Sequence, residues 1–195
     1  MVKMLAVNNY PTQARFLRLR ECLKGNGATV TAIGWSGASG SRFNSFDGVV
    51  LSGSPDMMSQ ERVQAKYRTE MDAILDSEVP VLGVCFGHQM VARAFGAEVL
   101  KDGKHVRGMV ETKALSDDPL FVGLQRSMML RESRYEVVKS LPKDFRLIAT
   151  SATTKIAAMK HLSRPIYGVQ FHPEYYTKQN ADGNRVAWNF VQSLK

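Results

Sequence analysis

Two thiols, Cys22 and Cys85, are all that this chain of 195 residues contains. A disulfide framework is therefore not expected, and a reducing, cytoplasmic location is. A zinc centre would need further thiolates or a compact Cys/His cluster, which Cys85 and His88 alone do not supply. Long apolar runs are missing too, so no membrane span is expected. The opening Met1-Val-Lys-Met-Leu-Ala-Val7 runs straight into polar Asn8-Asn9 with no clear cleavage site, and it reads as a strand rather than a targeting segment. No Gly-x-x-x-x-Gly-Lys-Ser/Thr phosphate loop, internal repeat or low-complexity segment occurs. Basic residues outnumber acidic ones, 26 to 18, for a net charge of +8, but they form no dense block and no aromatic-rich basic motif. The excess reads as a solvated basic surface, and nucleic acid is not an expected partner.

What is present fits a soluble globular chain, with 44% hydrophobic and 23% charged residues, and a single domain over residues 1–195 is expected. Met4-Leu-Ala-Val7 reads as a buried strand, and Thr12 as the N-cap of a helix carrying Phe16, Leu19 and Leu23 on one face. Gly25-Asn-Gly27 should stop that helix, and Ala28 to Ile33 should form a second strand. Gly34 to Ser45, rich in Gly and Ser, is expected to be a loop. Asp47 to Leu51 reads as a strand ending in Ser52-Gly-Ser-Pro55, and Ser59 to Asp76 as one helix with Met71, Ile74 and Leu75 as its apolar stripe. Beyond Phe95 the pattern changes to short strands, at Ala97–Leu100, Met109–Ala114, Met128–Arg131, Leu147–Thr150 and Ile156–Met159, with turns such as Asp102-Gly103 between them. Ile166 to Gln170 is a last strand, and a helix from about Asp182 to Ser193 closes the pattern. The expected fold is α/β: a flavodoxin-like open, mostly parallel twisted sheet, helices on both faces, and an additional antiparallel hairpin region.

One stretch stands out. Val81 to Val84 is a short apolar run ending at Cys85, which has Gly83 and Gly87 two residues to either side and helix-like Gln89 to Phe95 beyond. Strand, tight turn and helix, with small flanking residues, is the layout that exposes a nucleophile at a helix N-terminus, where unpaired N–H groups favour a thiolate. A buried structural cysteine beside two turn glycines is the competing reading. A thiol nucleophile needs a base, and the base needs an orienting acceptor. His172 and Glu174, on a loop held by Pro173 after the last strand, supply that pair. His88, His105 and His161 compete for the role of base; His88, just after the cysteine, reads as a support residue.

Gly83-Val-Cys85-Phe-Gly87-His-Gln89 together with His172-Pro-Glu174 resembles the class I, or triad, glutamine amidotransferases, and the resemblance runs over nearly the whole chain. Within that family, Pro165 to Glu174 and Ala158-Met-Lys-His161 are similar to the glutaminase subunits of GMP synthases. The resemblance implies hydrolysis of L-glutamine to glutamate and ammonia through a thioester on Cys85. It makes His172 the base and acid, Glu174 its orienting group, and the backbone N–H groups of Phe86 and of Gly53 or Ser54 the oxyanion hole. It places Gln89, Ser133, Arg134 and Tyr135 at the substrate, requires no cofactor or metal, and assigns the ammonia to a separate ATP-dependent synthetase subunit. Three departures stand out: Ser52-Gly53-Ser54-Pro55 where the family shows Ser-Gly-Gly-Pro, Arg134 and Glu136 where GMP synthase relatives carry His and Asp, and Asn8-Asn9-Tyr10-Pro11 in place of Asp-Asn-Gly-Gly-Gln. They leave open a stand-alone γ-glutamyl hydrolase or peptidase on the same fold, and, from another class, a non-catalytic binding module.

Overall fold

The runs around Val7, Val50 and Leu82 are apolar at every position rather than at alternate ones, as strands are when both sheet faces are covered. A computed structural model describes the backbone of residues 1–195 and every side chain but that of Lys104. In chain order the first half holds β1 (Val2–Asn8), α1 (Gln13–Gly25), β2 (Ala28–Gly34), α2 (Gly40–Phe43), β3 (Gly48–Leu51), α3 (Glu61–Lys66), α4 (Arg68–Leu75), β4 (Val81–Val84) and α5 (Phe86–Ala94). The second half holds β5 (Val99–Ala114), β6 (Ser127–Val138), β7 (Phe145–Ser151), β8 (Ala158–His161), β9 (Ile166–Val169) and α6 (Asp182–Gln192). All nine strands join one sheet in the order β2-β1-β3-β4-β9-β8-β7-β5-β6. The first five are parallel and the rest antiparallel, the change falling between β9 and β8.

Alternate residues of the parallel strands serve opposite faces. Met4, Ala6, Val50, Leu82 and Val84 pack with Phe16, Leu19 and Leu23 of α1 and Val186 and Phe190 of α6. Leu5, Val7, Val49, Leu51 and Val81 pack with Met71 and Ile74 of α4 and Phe86, Met90 and Val91 of α5. The expected open sheet with helices on both faces and an antiparallel extension is the fold observed.

Five local expectations need correction. Residues 34–45 are not all loop: α2 forms there, capped by the Ser39 side chain, which accepts from the Arg42 N–H, and it buries Phe43 completely. It is too short to show a period. The single helix expected over Ser59–Asp76 breaks at Tyr67, whose ring is fully buried and whose hydroxyl donates to Asp56 at 2.9 Å. Leu75 is exposed, and the inward face of α4 carries Glu70 instead. The two strands expected on either side of Asp102-Gly103 are one strand, β5, whose register against β6 shifts between Lys101 and Val106. Thr12 stands at the N-cap of α1 as expected, but its side chain makes no capping bond. Among the described residues no helix is long and apolar enough to cross a membrane.

The parallel strands end together on one rim. Val84 pairs with Val169, so the segments leaving β4 and β9 start side by side, while those leaving β1 and β3 follow along the same edge. Ligand sites of open α/β sheets form at such carboxyl ends. Under this rim His88 of α5 lies against Gly168 of β9, where an added Cβ would come within 2.5 Å of its Nδ1 and 3.0 Å of Met159 Cε. Gly168→Ala should therefore cost about 1–3 kcal/mol through overpacking, read as a lower urea midpoint at constant slope. An unchanged midpoint would show that His88 has room to move aside.

Candidate active site

Cys85 takes φ 53° and ψ −101°, and among the described residues it is the only non-glycine with positive φ. Such a conformation costs on the order of 1–3 kcal/mol and persists only where the surroundings enforce it. They do so here: the Cys85 N–H donates to Val169 O at 2.8 Å, and the Cys85 carbonyl accepts from the Gln89 N–H at 3.1 Å. The flanking glycines are required by contact. A Cβ on Gly83 would collide with the Gly87 carbonyl and lie 2.8 Å from His88 N, and one on Gly87 would lie 2.6 Å from Leu51 O. The turn sets the sulfur, 3.6 Å from the Ser133 carbonyl, at the N-terminus of α5. Cys22 lies elsewhere, buried beside Asn26 and Asn184, where burial raises its thiol to about 12 and keeps it protonated.

His172 and Glu174 enter from the segment after β9. The His172 N–H donates to Arg131 O at 2.7 Å, and His172 Nδ1 meets Glu174 Oε1 at 2.9 Å, with both side chains buried. Burial alone pulls the imidazole down, but the Glu174 carboxylate and then the negative charge of Cys85 outweigh it and hold His172 well above its ordinary value. With Nδ1 engaged by Glu174, Nε2 is the nitrogen left to exchange a proton. The other histidines are differently placed. His88 is fully buried and pulled down to about 4 by that burial, so it is neutral. His161 sits against Phe95 and Phe145 with its Nδ1 accepting the N–H groups of Ser163 and Arg164. His105 stacks on Tyr135 with 4.2 Å between ring centroids.

Cys85 and His172 line one cavity of about 370 Å³, together with Tyr10, Ser54, Gln89, Ser133, Arg134, Tyr135 and Glu136. That volume lies within the range of small-molecule sites. The N–H groups of Gly53, Ser54 and Phe86 make no hydrogen bond within the described residues. Ser54 Oγ turns aside to accept the Asp56 N–H at 3.1 Å, so the serine in the family's glycine position serves its own loop. Gln89 is buried, its amide nitrogen donating to the Glu136 carbonyl at 2.9 Å and lying 3.3 Å from Gln170 Oε1. Arg134 has a fully buried side chain whose Nε donates to Glu132 Oε2 at 2.9 Å and whose Nη2 reaches the Thr153 carbonyl. Its Nη1, 3.6 Å from Asp102 Oδ2, is buried without a hydrogen-bond partner in a residue that lines the cavity. Cationic Arg15, Arg107 and Arg131 also border the cavity.

Tyr10 was legible in the sequence only as turn chemistry, yet it is a wall of the site. A Cβ on Gly53 would overlap the Tyr10 hydroxyl and come within 3.1 Å of the His172 ring, so glycine is what lets the three meet. Burial, then the charges of Glu174 and Cys85, push the phenol far up and keep it protonated. Among the described residues no group of three His, Cys, Asp or Glu is arranged to hold a metal ion.

The raised His172 value carries a pH signature. Because the folded value exceeds the unfolded one of about 6.5, the imidazolium contributes stability that is fully present below that pH and is lost as pH rises through the folded value. Glu174→Gln should move the His172 NMR titration downward and flatten this slope of stability against pH. An unmoved titration would show that Glu174 does not hold the charge.

A model of the glutamine amidotransferase class-I family matches residues 13–192. A glutamine-hydrolyzing GMP synthase subunit of Thermococcus kodakarensis is 40% identical over 136 residues, covering 69% of this chain and 70% of the relative. The corresponding Pyrococcus abyssi protein is 40% identical over 148 residues, covering 74% of each. A solved structure from Thermoplasma acidophilum, provisionally assigned to a GMP synthase, superposes with TM-score 0.87 at 29% identity over 100% of this chain and 94% of that one. A glutamine amidotransferase from Thermotoga maritima shares the fold, with TM-score 0.74 at 20% identity over 90% of this chain and 77% of that one. The chain belongs to the class-I glutamine amidotransferase family.

Proposed function

We propose that residues 1–195 form a single glutaminase domain that hydrolyses L-glutamine to glutamate and ammonia and passes the ammonia to a separate ATP-dependent synthetase subunit, that of GMP synthase. The observation that carries this reading is a buried His172, 2.9 Å from Glu174, that shares one cavity with a cysteine held in a strained turn at a helix N-terminus. The GMP synthase relatives support the choice of partner and substrate.

The chemistry follows from these groups. His172, oriented by Glu174, already holds the proton of the Cys85 thiol, and the thiolate attacks the side-chain amide carbon. The oxygen gains negative charge and is met by the N–H groups of Phe86 and of Gly53 or Ser54, each donor worth on the order of 3 kcal/mol. The imidazolium returns the proton to the amide nitrogen, the C–N bond breaks, and ammonia leaves a γ-glutamyl thioester on Cys85. His172 then deprotonates water, which attacks the thioester. Glutamate departs and the thiolate is restored. Gln89, Ser133 and Tyr135 hold the amino-acid end of the substrate, while Arg134 stiffens the wall behind them through Glu132.

Ammonia and glutamate released from glutamine by the purified chain, with and without its synthetase, test this reading. Cys85→Ala should lower turnover by on the order of a thousandfold or more, since no other group replaces the nucleophile. Turnover should rise when the synthetase is added. Brisk turnover of γ-glutamyl peptides but not glutamine, indifferent to a synthetase, would favour a stand-alone hydrolase instead. Full activity in Cys85→Ala would overturn the triad.

A further inference from the structure

Glu70, on the inward face of α4, takes no part in the chemistry above, although it is fully buried. Among the described residues its hydrogen-bond partner is the Asn9 side chain, whose Nδ2 donates to Glu70 Oε1 at 3.0 Å. Glu70 Oε2 is buried with no partner, and so is Asn9 Oδ1, the other half of the same amide. The amide is held in this orientation by Ser52 O, 3.5 Å from Nδ2. Two bare acceptors on a facing carboxyl and amide point to a proton that unites them. A carboxylic acid and an amide exchange two hydrogen bonds, whereas a carboxylate and an amide exchange one and leave two buried atoms unsatisfied.

We propose that Glu70 is a protonated carboxylic acid that positions the Ser52–Pro55 loop, donating from Oε2 to Asn9 Oδ1 while Asn9 Nδ2 donates to its Oε1. Burial pushes the Glu70 carboxyl up to about 8, with Asn9 alone opposing, which keeps it neutral at pH 7. Charged groups of α4 and of neighbouring segments are engaged elsewhere, and none of them contributes to that rise. Asp56 pairs with Lys66 and Tyr67, Asp72 with Arg68, Arg93 of α5 with Gln64, and Arg164 with the carbonyls of Ile74, Leu75 and Ser77.

Asn9 is the joint between two walls of the site. Its N–H donates to Ser52 Oγ at 2.9 Å, and Ser52 Oγ donates to the Gly53 carbonyl at 3.0 Å. The next residue is Tyr10, which abuts Gly53 and borders the cavity. A proton on Glu70 therefore sets where the Gly53 and Ser54 N–H groups point. Its loss leaves a buried charge facing Asn9 Oδ1 and loosens both walls.

The inference rests on the glutaminase reading of this loop, so the test has one arm independent of it. Glu70→Gln keeps both hydrogen bonds without a titrating proton, and Glu70→Leu fills the space while removing both. Folded Glu70 keeps a proton that the unfolded chain releases near 4.5, so its contribution to stability is lost as pH rises through about 8. In thermal unfolding of the full chain between about pH 6 and 9.5, Glu70→Gln should lack that part of the wild-type decline. In glutamine turnover with the synthetase, Glu70→Gln at pH 7 should stay within about threefold of wild type and lose the fall in kcat near pH 8. Glu70→Leu should lose about tenfold or more in kcat with little change in KM, as expected of a misplaced oxyanion hole. Identical unfolding slopes in wild type and Glu70→Gln would overturn the protonation. Different slopes with superimposable kcat profiles would overturn the positioning role. A wild-type chain that unfolds as expected yet turns over no glutamine would count against the glutaminase reading and leave the Glu70 proton standing.

Discussion

A methyl group on Gly83 would strike the Gly87 carbonyl across the turn after β4, and one on Gly87 would strike Leu51 of β3. Such close approach is what lets the chain reverse from strand to helix within one residue, and Cys85 absorbs the reversal as a positive φ. The strain is sustained because α5 is buried from Phe86 to Ala92, so relaxing the turn would lift a whole helix face out of the core. Burial of a single large apolar side chain is worth about 1.5–3 kcal/mol, comparable to the strain itself, and α5 contributes several. The thiol is thus held at a helix N-terminus by packing that lies mostly behind it.

Three buried carboxyl groups show how differently one protein surrounds like side chains. Glu174 faces His172 and leaves Oε2 without a partner, an arrangement that holds a positive charge on the imidazole. Glu132 faces Arg134 and is further tied by the hydroxyls of Ser151 and Thr153 at 2.8 and 2.7 Å. Glu70 faces only an amide. Removing one partner of a buried pair leaves an uncompensated charge, so each carboxylate makes its neighbour hard to replace alone. This bears on the departure at Arg134: the arginine comes with Glu132, Ser151 and Thr153 as a unit and braces the strand that carries Ser133.

Much of the fold, and the residues that meet at the candidate site, were readable in order along the chain. Apolar runs at β1, β3 and β4, the Phe16/Leu19/Leu23 face of α1 and the glycines around Cys85 are local patterns, and backbone sterics and period act over a few residues. The same locality made α2 invisible, being shorter than a period, and turned β5 into two strands at Gly103, whose positive φ of 69° marks an irregularity inside the strand rather than its end. The break at Tyr67 was hidden because a buried ring with a hydroxyl bound to Asp56 overrode a continuous helical pattern.

The sequence by itself determined the alternation of strand and helix, the turn at Cys85 and the order in which Cys85, His172 and Glu174 occur, because these depend on neighbouring residues. Only the tertiary structure decided that His172, bound to Glu174, shares a cavity with Cys85, that Tyr10 closes one wall, that Arg134 turns to Glu132, and that Glu70 lies under the loop from β3. Charge state and reach depend on burial and on partners distant in sequence, as when Asn9 meets Glu70 across 61 positions of chain. No local pattern carries that information, since desolvation is a property of the assembled core.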